Sequence, residues 1–302
     1  MVNLMGTKYP QINIDNSYGQ TILVDLYNVN GVVEYLLNFT AGTLVGGTSP
    51  AYTYSKSNPI ITKIEVIANN ETVRSFDGQM LAEYMLKARN ANMDGANFIV
   101  PMTDIQYATK KRIMNTLFPS FAFTQIKLKL TIAPLANITS GSPTGTSGSQ
   151  IAIQEEFIDR SKINFKIFDF RMLQVSAPLS ITGQNDLNSL LPTDSYYKSL
   201  LYFANTGNSY STGSDTMITD LEILLNIKEI LKDSYWTAMK NKNQSLFGSA
   251  MDTGYAMEVF MEDNDLTQLL ALNNPIVQKS VVTRFNTTET GYLNVLKNIY
   301  LD

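Results

Sequence analysis

The chain has 302 residues, 44% hydrophobic and 17% charged, with a net charge of −4 and an isoelectric point near 5.0. That length suffices for two domains, each with its own core, and the acidic balance argues against a surface built to neutralise phosphates. There is no cysteine and no histidine, which removes disulfide frameworks, thiolate and imidazole metal sites, the Ser–His–Asp triad and the Cys–His pair.

The N-terminal "MVNLMGTKYPQINIDN" has neither a basic region nor an apolar core, so no secretory signal is expected. No stretch approaches the roughly 20 apolar residues that span a bilayer. The expected product is soluble and made in the cytoplasm of the cell that synthesises it. "TILVDLYN" (21–28) is β-branched and apolar, a strand composition. "EYLLNFTAG" (34–42) follows, then the turn-rich "GGTSPAYTYSKSNP" (46–59) and the strand pair "ITKIEVIANNETV" (61–73). After Asp77, a candidate N-cap, Met80, Leu81, Tyr84, Met85 and Ala88 share one helical face. "IKLKLTI" (126–132) alternates apolar and polar residues, the mark of a half-buried antiparallel strand. Residues 137–150, "NITSGSPTGTSGSQ", have the composition of a linker or an exposed loop, and the domain boundary is expected near residue 150.

Beyond it, "INFKIFDF" (163–170) alternates like a strand, and 174–195 is rich in Ser, Pro and Asn, as a long exposed loop would be. "KSLLYFANTG" (198–207), the loop "GNSYSTGSD" (207–215), "ITDLEILLNIKEI" (218–230) and "YWTAMK" (235–240), the last after Asp233, then repeat the first half. Ile61, Thr62, Glu65 and Asn69 recur as Ile218, Thr219, Glu222 and Asn226, an offset of 157; Leu36, Leu37 and Phe39 recur as Leu200, Leu201 and Phe203, an offset of 164. A period of domain size implies a duplicated domain rather than a solenoid. The expected fold is all-β: two tandem jelly-roll β-sandwiches, each with a short helix in one connection, spanning 1–150 and 151–302.

"DLYNVNGVVEYLLNFTAG" (25–42) and "NPIITKIEVIANNETVRSFDGQMLAEY" (58–84) resemble the first strands, and the strand pair and helix that follow, of double jelly-roll major capsid proteins. These belong to the adenovirus–tectivirus–corticovirus lineage, which includes tailless lipid-containing bacteriophages. The resemblance implies a structural coat protein of the virion, without enzymatic activity or cofactor. Three copies of two rolls make six similar lobes, hence a homotrimeric, pseudo-hexagonal capsomer that tiles an icosahedral shell. Implied partners are neighbouring capsomers, vertex (penton) and minor capsid proteins, and an internal lipid membrane, with no sequence-specific nucleic acid. The alternative is a β-sandwich carbohydrate- or receptor-binding module, such as a lectin, adhesin or phage receptor-binding protein. A jelly-roll carbohydrate-active enzyme is disfavoured, because no acid–base pair is visible.

No residue stands out as catalytic, cofactor-binding or metal-ligating. Glu262, Asp263 and Asp265 in "MEDNDLT" offer three oxygen donors for calcium, but the spacing is not that of an EF-hand, and a solvated acidic turn accounts for them. Glu155 and Glu156 are neighbours on one extended segment, so they point opposite ways and read as surface charge beside the linker. "KKR" (110–112) is the one basic run and reads as a solvated edge or an inter-subunit salt bridge. Tyr84, Tyr235 and Trp236 read as the core-facing stripe of the helices rather than a sugar platform. Glu65 and Glu222, on the strand face away from Ile64 and Leu221, read as inter-roll or inter-subunit contacts.

Overall fold

The structure, a computed structural model, describes residues 4–106, 110–227, 229–261, 268–272 and 280–301, with the backbone alone for 110–112. The chain forms two compact units, Met1–Phe170 and Arg171–Asp302. The first contains β1 (Met5–Lys8), β2 (Thr21–Leu26), β3 (Gly31–Thr40), β4 (Ile61–Ala68), β5 (Glu71–Asp77), α1 (Gly78–Arg89), β6 (Asn97–Pro101), β7 (Ile126–Ile132) and β8 (Gln150–Ile158). Its antiparallel sheets run β1-β8-β3-β6 and β5-β4-β7-β2.

The second unit repeats this strand for strand. It holds β9 (Asp169–Leu179), β10 (Gly183–Leu187), β11 (Ser195–Asn205), β12 (Ile218–Leu225), β13 (Glu229–Tyr235), α2 (Trp236–Phe247), β14 (Tyr255–Val259), β15 (Val281–Thr287) and β16 (Gly291–Leu301). Its sheets run β9-β16-β11-β14 and β13-β12-β15-β10. Each strand thus has its counterpart eight places later. In each unit the first, third, sixth and eighth strands form one sheet and the other four form the second, the strand order of a jelly roll. The helix always joins the fifth strand to the sixth.

Pattern explains the elements. In β7, Ile126, Leu128, Leu130 and Ile132 are buried and the residues between are half-exposed, so one sheet face meets the core and the other meets water. Met80, Leu81, Tyr84 and Met85 of α1 are buried, as are Trp236 and Met239 of α2. Tyr235 is not part of that stripe. It is the N-cap of α2, a place the sequence reading gave to Asp233, and it is 67% exposed.

Three further expectations are corrected. The Gly/Ser/Thr-rich stretch is not the boundary: Thr139–Ser140 and Gly145–Ser147 pair with Ala51–Tyr52 and Thr43–Val45, making it the β7–β8 loop. The boundary falls after Phe170, because β8 inserts between β1 and β3 and completes the first roll's sheet. Residues 163–168 are irregular and the strand starts at Asp169, whereas 174–195, read as a loop, holds the end of β9 and all of β10.

The hydrogen-bond register also moves one alignment. β6 and β14 correspond at an offset of 158, Phe98 to Ala256. Phe98 and Ile153 flank Leu37, and Ala256 and Val295 flank Tyr202. Leu37 therefore matches Tyr202, an offset of 165 rather than the 164 read from sequence. One residue of slip exchanges the faces: Tyr35, Leu37 and Phe39 are buried in the first roll, and Leu200, Tyr202 and Ala204 lie in the second roll's core.

Candidate functional site

Two features survive duplication intact. The β4–β5 turn places Asn69 in the left-handed region (φ 48°), where its Oδ1 accepts from Thr124 N (2.9 Å), Thr124 Oγ1 (2.8 Å) and Gln125 N (3.1 Å). Asn226 does the same at φ 51°, accepting from Ser280 N at 3.2 Å. Asparagine tolerates this backbone and supplies the acceptor, so it suits both turns.

The repeated glutamates close cross-strand ion pairs inside their own rolls. Glu65 lies opposite Lys129 and meets it at 2.8 Å; Glu222 lies opposite Arg284 and meets it at 3.2 Å. The second roll adds Asp186, 2.8 Å from Arg284 Nε, and this pairing holds the Asp186 carboxyl below the usual carboxylate range. Each glutamate thus has a partner within its own sheet, a simpler account than the inter-subunit contact expected for it.

The outer face of the β1-β8-β3-β6 sheet carries a trough of about 540 Å³. Lys8, Gln11, Asn38, Asn97 and Gln154 surround Leu36 in it, and the Asn38 amide donates to Asn97. At one end of the same roll, Met5 pairs with Phe157, Phe118 with Val32 and Ile158 with Gly31. Ile113 and Met114 from one connection, with Ile163 and Phe165 from another, pack over Val33, Leu117 and Ile158 there. Arg160, Lys162 and Lys166 are exposed beside them; Arg160 lies over the Phe121 ring (4.8 Å) and Lys166 over Phe168 (5.3 Å). Connections 102–125 and 159–168 contain six bases (Lys110, Lys111, Arg112, Arg160, Lys162, Lys166) and two acids (Asp104, Asp159), in a chain of net charge −4. Leu4, Met5, Tyr27 and Val29 are exposed apolar residues of the N-terminal segment and the β2–β3 turn.

Inside the sheets stand two ionisable groups at matching positions. Glu155 of β8 faces Tyr35 and Lys297 of β16 faces Leu200, so the corrected register makes them counterparts. Both are buried. Burial pushes the Glu155 carboxyl up and the Lys297 ammonium down from their ordinary values, each toward neutrality. Glu155 is therefore no surface charge, which overturns its sequence reading, although Glu156 does point the other way and is half-exposed.

Glu262, Asp263 and Asp265 lie outside the described residues, as do the side chains of 110–112; the backbone of the latter begins a six-residue helix, Lys110–Asn115. Among the described residues, no group of three acidic side chains could hold a metal ion. No described helix is long and apolar enough to cross a membrane.

No family model and no curated protein matches the sequence. Solved structures do match, over nearly the whole chain. The major capsid protein P2 from bacteriophage PM2 aligns with a TM-score of 0.71 at 10% identity, covering 99% of this chain and 97% of its own. The STIV (Sulfolobus turreted icosahedral virus) major capsid protein aligns at 0.72 and 14%, with 99% and 97% coverage. The PBCV-1 virus capsid aligns at 0.65 and 11%, with 100% and 96% coverage. The fold is the double jelly roll. At these identities the likeness is one of fold, and it spans both rolls of each protein.

Proposed function

We propose that the chain is a structural major capsid protein that assembles as a homotrimer into pseudo-hexagonal capsomers and builds the shell of an icosahedral virion. One observation carries this reading: two jelly rolls, matched strand for strand within one chain, align end to end with capsid proteins of PM2 and STIV. Two similar lobes per chain, repeated around a threefold axis, give six, and a hexagonal tile covers a flat facet with one protein. Closed symmetry also multiplies contacts that are individually weak. Such a role needs no catalytic residue or cofactor.

Sedimentation tests it. Three chains of 33.7 kDa give a particle of 101.1 kDa, and electron micrographs of that particle should show hexagonal outlines. A protein that stays monomeric at micromolar concentration overturns the reading.

The chain's partners are its own copies in the trimer and in neighbouring capsomers and, beyond these, vertex and minor proteins and an internal membrane. Support for the membrane comes from the first roll's basic end, where exposed Arg160, Lys162 and Lys166 accompany aromatic and apolar side chains. Such a mixture suits anionic headgroups above an apolar layer. Trimers should co-sediment with phosphatidylglycerol vesicles and not with phosphatidylcholine vesicles. Alanine at all three basic positions should abolish the difference; equal binding to both vesicles refutes this partner and leaves the shell reading standing.

A further inference from the structure

Among the described residues, four glutamates are buried: Glu34, Glu83, Glu155 and Glu258. Arg89 pairs with Glu34, Lys56 and Lys87 with Glu83, and Lys232 with Glu258. Glu155 alone of the four pairs with no base among the described residues. Its Oε2 accepts from the Tyr9 hydroxyl at 2.5 Å, and that hydroxyl in turn accepts from Tyr27 N at 2.9 Å. Its Oε1 has no hydrogen-bond partner, and neither has the hydroxyl of Tyr35 directly across the strand pair. A buried acceptor left without a donor is a liability for an ionised carboxylate. A proton on the carboxyl removes the buried charge.

The groups packed around this carboxyl are neutral. β3 contributes Tyr35, the chain after β1 contributes Tyr9 with Tyr27 stacked on it at 4.5 Å, and the β2–β3 turn contributes Asn30. Glu34, Gln154 and Glu156 alternate to the other side of the sheet. In the facing sheet Leu26 and Ile126 are buried, and the charged pair Asp25 and Lys127 alternates outward. Tyr9 matters because β1 itself buries little and leans on its ladder to β8. It is a four-residue edge strand paired only with β8, its Met5, Gly6 and Lys8 exposed and Thr7 half-buried. Tyr9, buried and bonded to Glu155, is the first buried side chain after it, ahead of the Ile12–Asn13 pairing with β8.

We propose that Glu155 is a proton-operated latch on the N-terminal strand: protonated, it seats Tyr9 and holds β1 against β8; ionised, it draws water to the Tyr9 contact and lets β1 leave the sheet edge. The proton goes to solvent and no other bond changes. Burial holds this carboxyl above the ordinary glutamate range, with Tyr9 and Asn30 pulling it part of the way back. A folded group that keeps its proton more tightly than the unfolded one stabilises most below the ordinary value of 4.5. That contribution is lost as pH rises through the raised value, so the latch closes in acid and opens toward alkali. The second roll has Lys297 at this position, bonded to the Leu190 carbonyl at 3.2 Å, so the acid-closed latch belongs to the first roll alone. It does not depend on the capsid reading.

The absence of native cysteine permits a spin label at Met5→Cys, a position 49% exposed. Between pH 4.5 and 8.5 the labelled protein should pass from an immobile to a mobile spectrum in a one-proton titration. Adding Glu155→Gln should hold it immobile throughout, and Tyr9→Phe should leave it mobile at both ends. An infrared carbonyl band of a protonated carboxylic acid should disappear in the otherwise unaltered protein with the same midpoint, which keeps the test decisive if Glu155→Gln folds poorly. A spectrum that does not change with pH, an identical titration in Glu155→Gln, or a carboxyl band that titrates no higher than the ordinary value of 4.5 overturns the latch.

Discussion

Asn69→Ala isolates what the repeated turn contributes. Two terms add. Alanine at φ 48° meets the left-handed penalty that asparagine largely escapes, about 1 kcal/mol. The substitution also removes the acceptor of three hydrogen bonds, at 2.8–3.1 Å. Their donors lie near solvent and water replaces part of what is lost, so each is worth about 0.5 kcal/mol, the low end of the usual range. The sum is about 2.5 kcal/mol. Asn69→Gly keeps the backbone conformation and loses only the hydrogen bonds, so it should lose about 1.5 kcal/mol. At the counterpart, Asn226→Ala surrenders one bond at 3.2 Å and the same conformational term, about 1.5 kcal/mol.

Urea unfolding followed by far-ultraviolet dichroism measures the three variants, and amide exchange at Thr124 and Gln125 reads the lost bonds locally. Both amides should lose protection equally in Asn69→Ala and Asn69→Gly, although the two differ in stability by about 1 kcal/mol. An Asn69→Ala protein within 0.5 kcal/mol of the parent, or an Asn69→Gly protein that keeps Thr124 and Gln125 protected, refutes the account of the turn.

The remaining predictions concern charge. Glu65→Gln and Glu222→Gln should each reduce stability by less than about 1 kcal/mol, because the pairs are partly exposed, and should leave the sedimentation coefficient unchanged; a shift in oligomer size would restore an inter-subunit role. Asp15, whose carboxylate accepts from Thr146 Oγ1 and the Gly148 and Ser149 amides, is held well below the usual carboxylate range. Its stabilisation is present at neutral pH and fades as pH falls below the ordinary value of 3.8, so Asp15→Asn should flatten the acid limb of the thermal-stability profile. Lys297→Met should raise the urea midpoint at pH 7, by removing an ammonium whose burial is unfavourable. The gain should shrink as pH approaches the ordinary lysine value of 10.5, where the parent amine is neutral too.

What the sequence disclosed and what it hid follow from the same chemistry. The strand pair and helix of each roll are legible because polar turns bound them and their apolar residues keep one period. The third strand misleads by one residue because Leu36–Leu37 and Leu200–Leu201 are apolar doublets. A doublet offers a leucine to either face, so periodicity has no phase there, and only hydrogen bonding to the neighbouring strands sets it. The Gly/Ser/Thr-rich stretch truly marks a loop, but composition does not say whether a loop joins two domains or returns the chain for its last strand. Glu155 reads as surface charge because a carboxylate is rarely buried without a base. Its neighbours Ile151, Ile153 and Phe157 alternate with it on one face, and that alternation was the available signal.

The corrected register also shows where the two rolls diverged. Leu36, Asn38, Asn97 and Gln154 on the outer face of the first roll's sheet correspond to Leu201, Phe203, Tyr255 and Leu296 in the second. Asn38 and Asn97 are exposed and line the amide-rich trough, whereas all four counterparts are buried. The turn asparagine and the β4–β7 ion pair did not diverge, and both serve the roll itself. A duplicated domain held in one environment has no reason to change a single face while keeping its internal ties. The second roll's face is dry within the chain itself, where Phe203 stacks on Tyr210 at 4.7 Å, while the first roll's amide-lined face stays open.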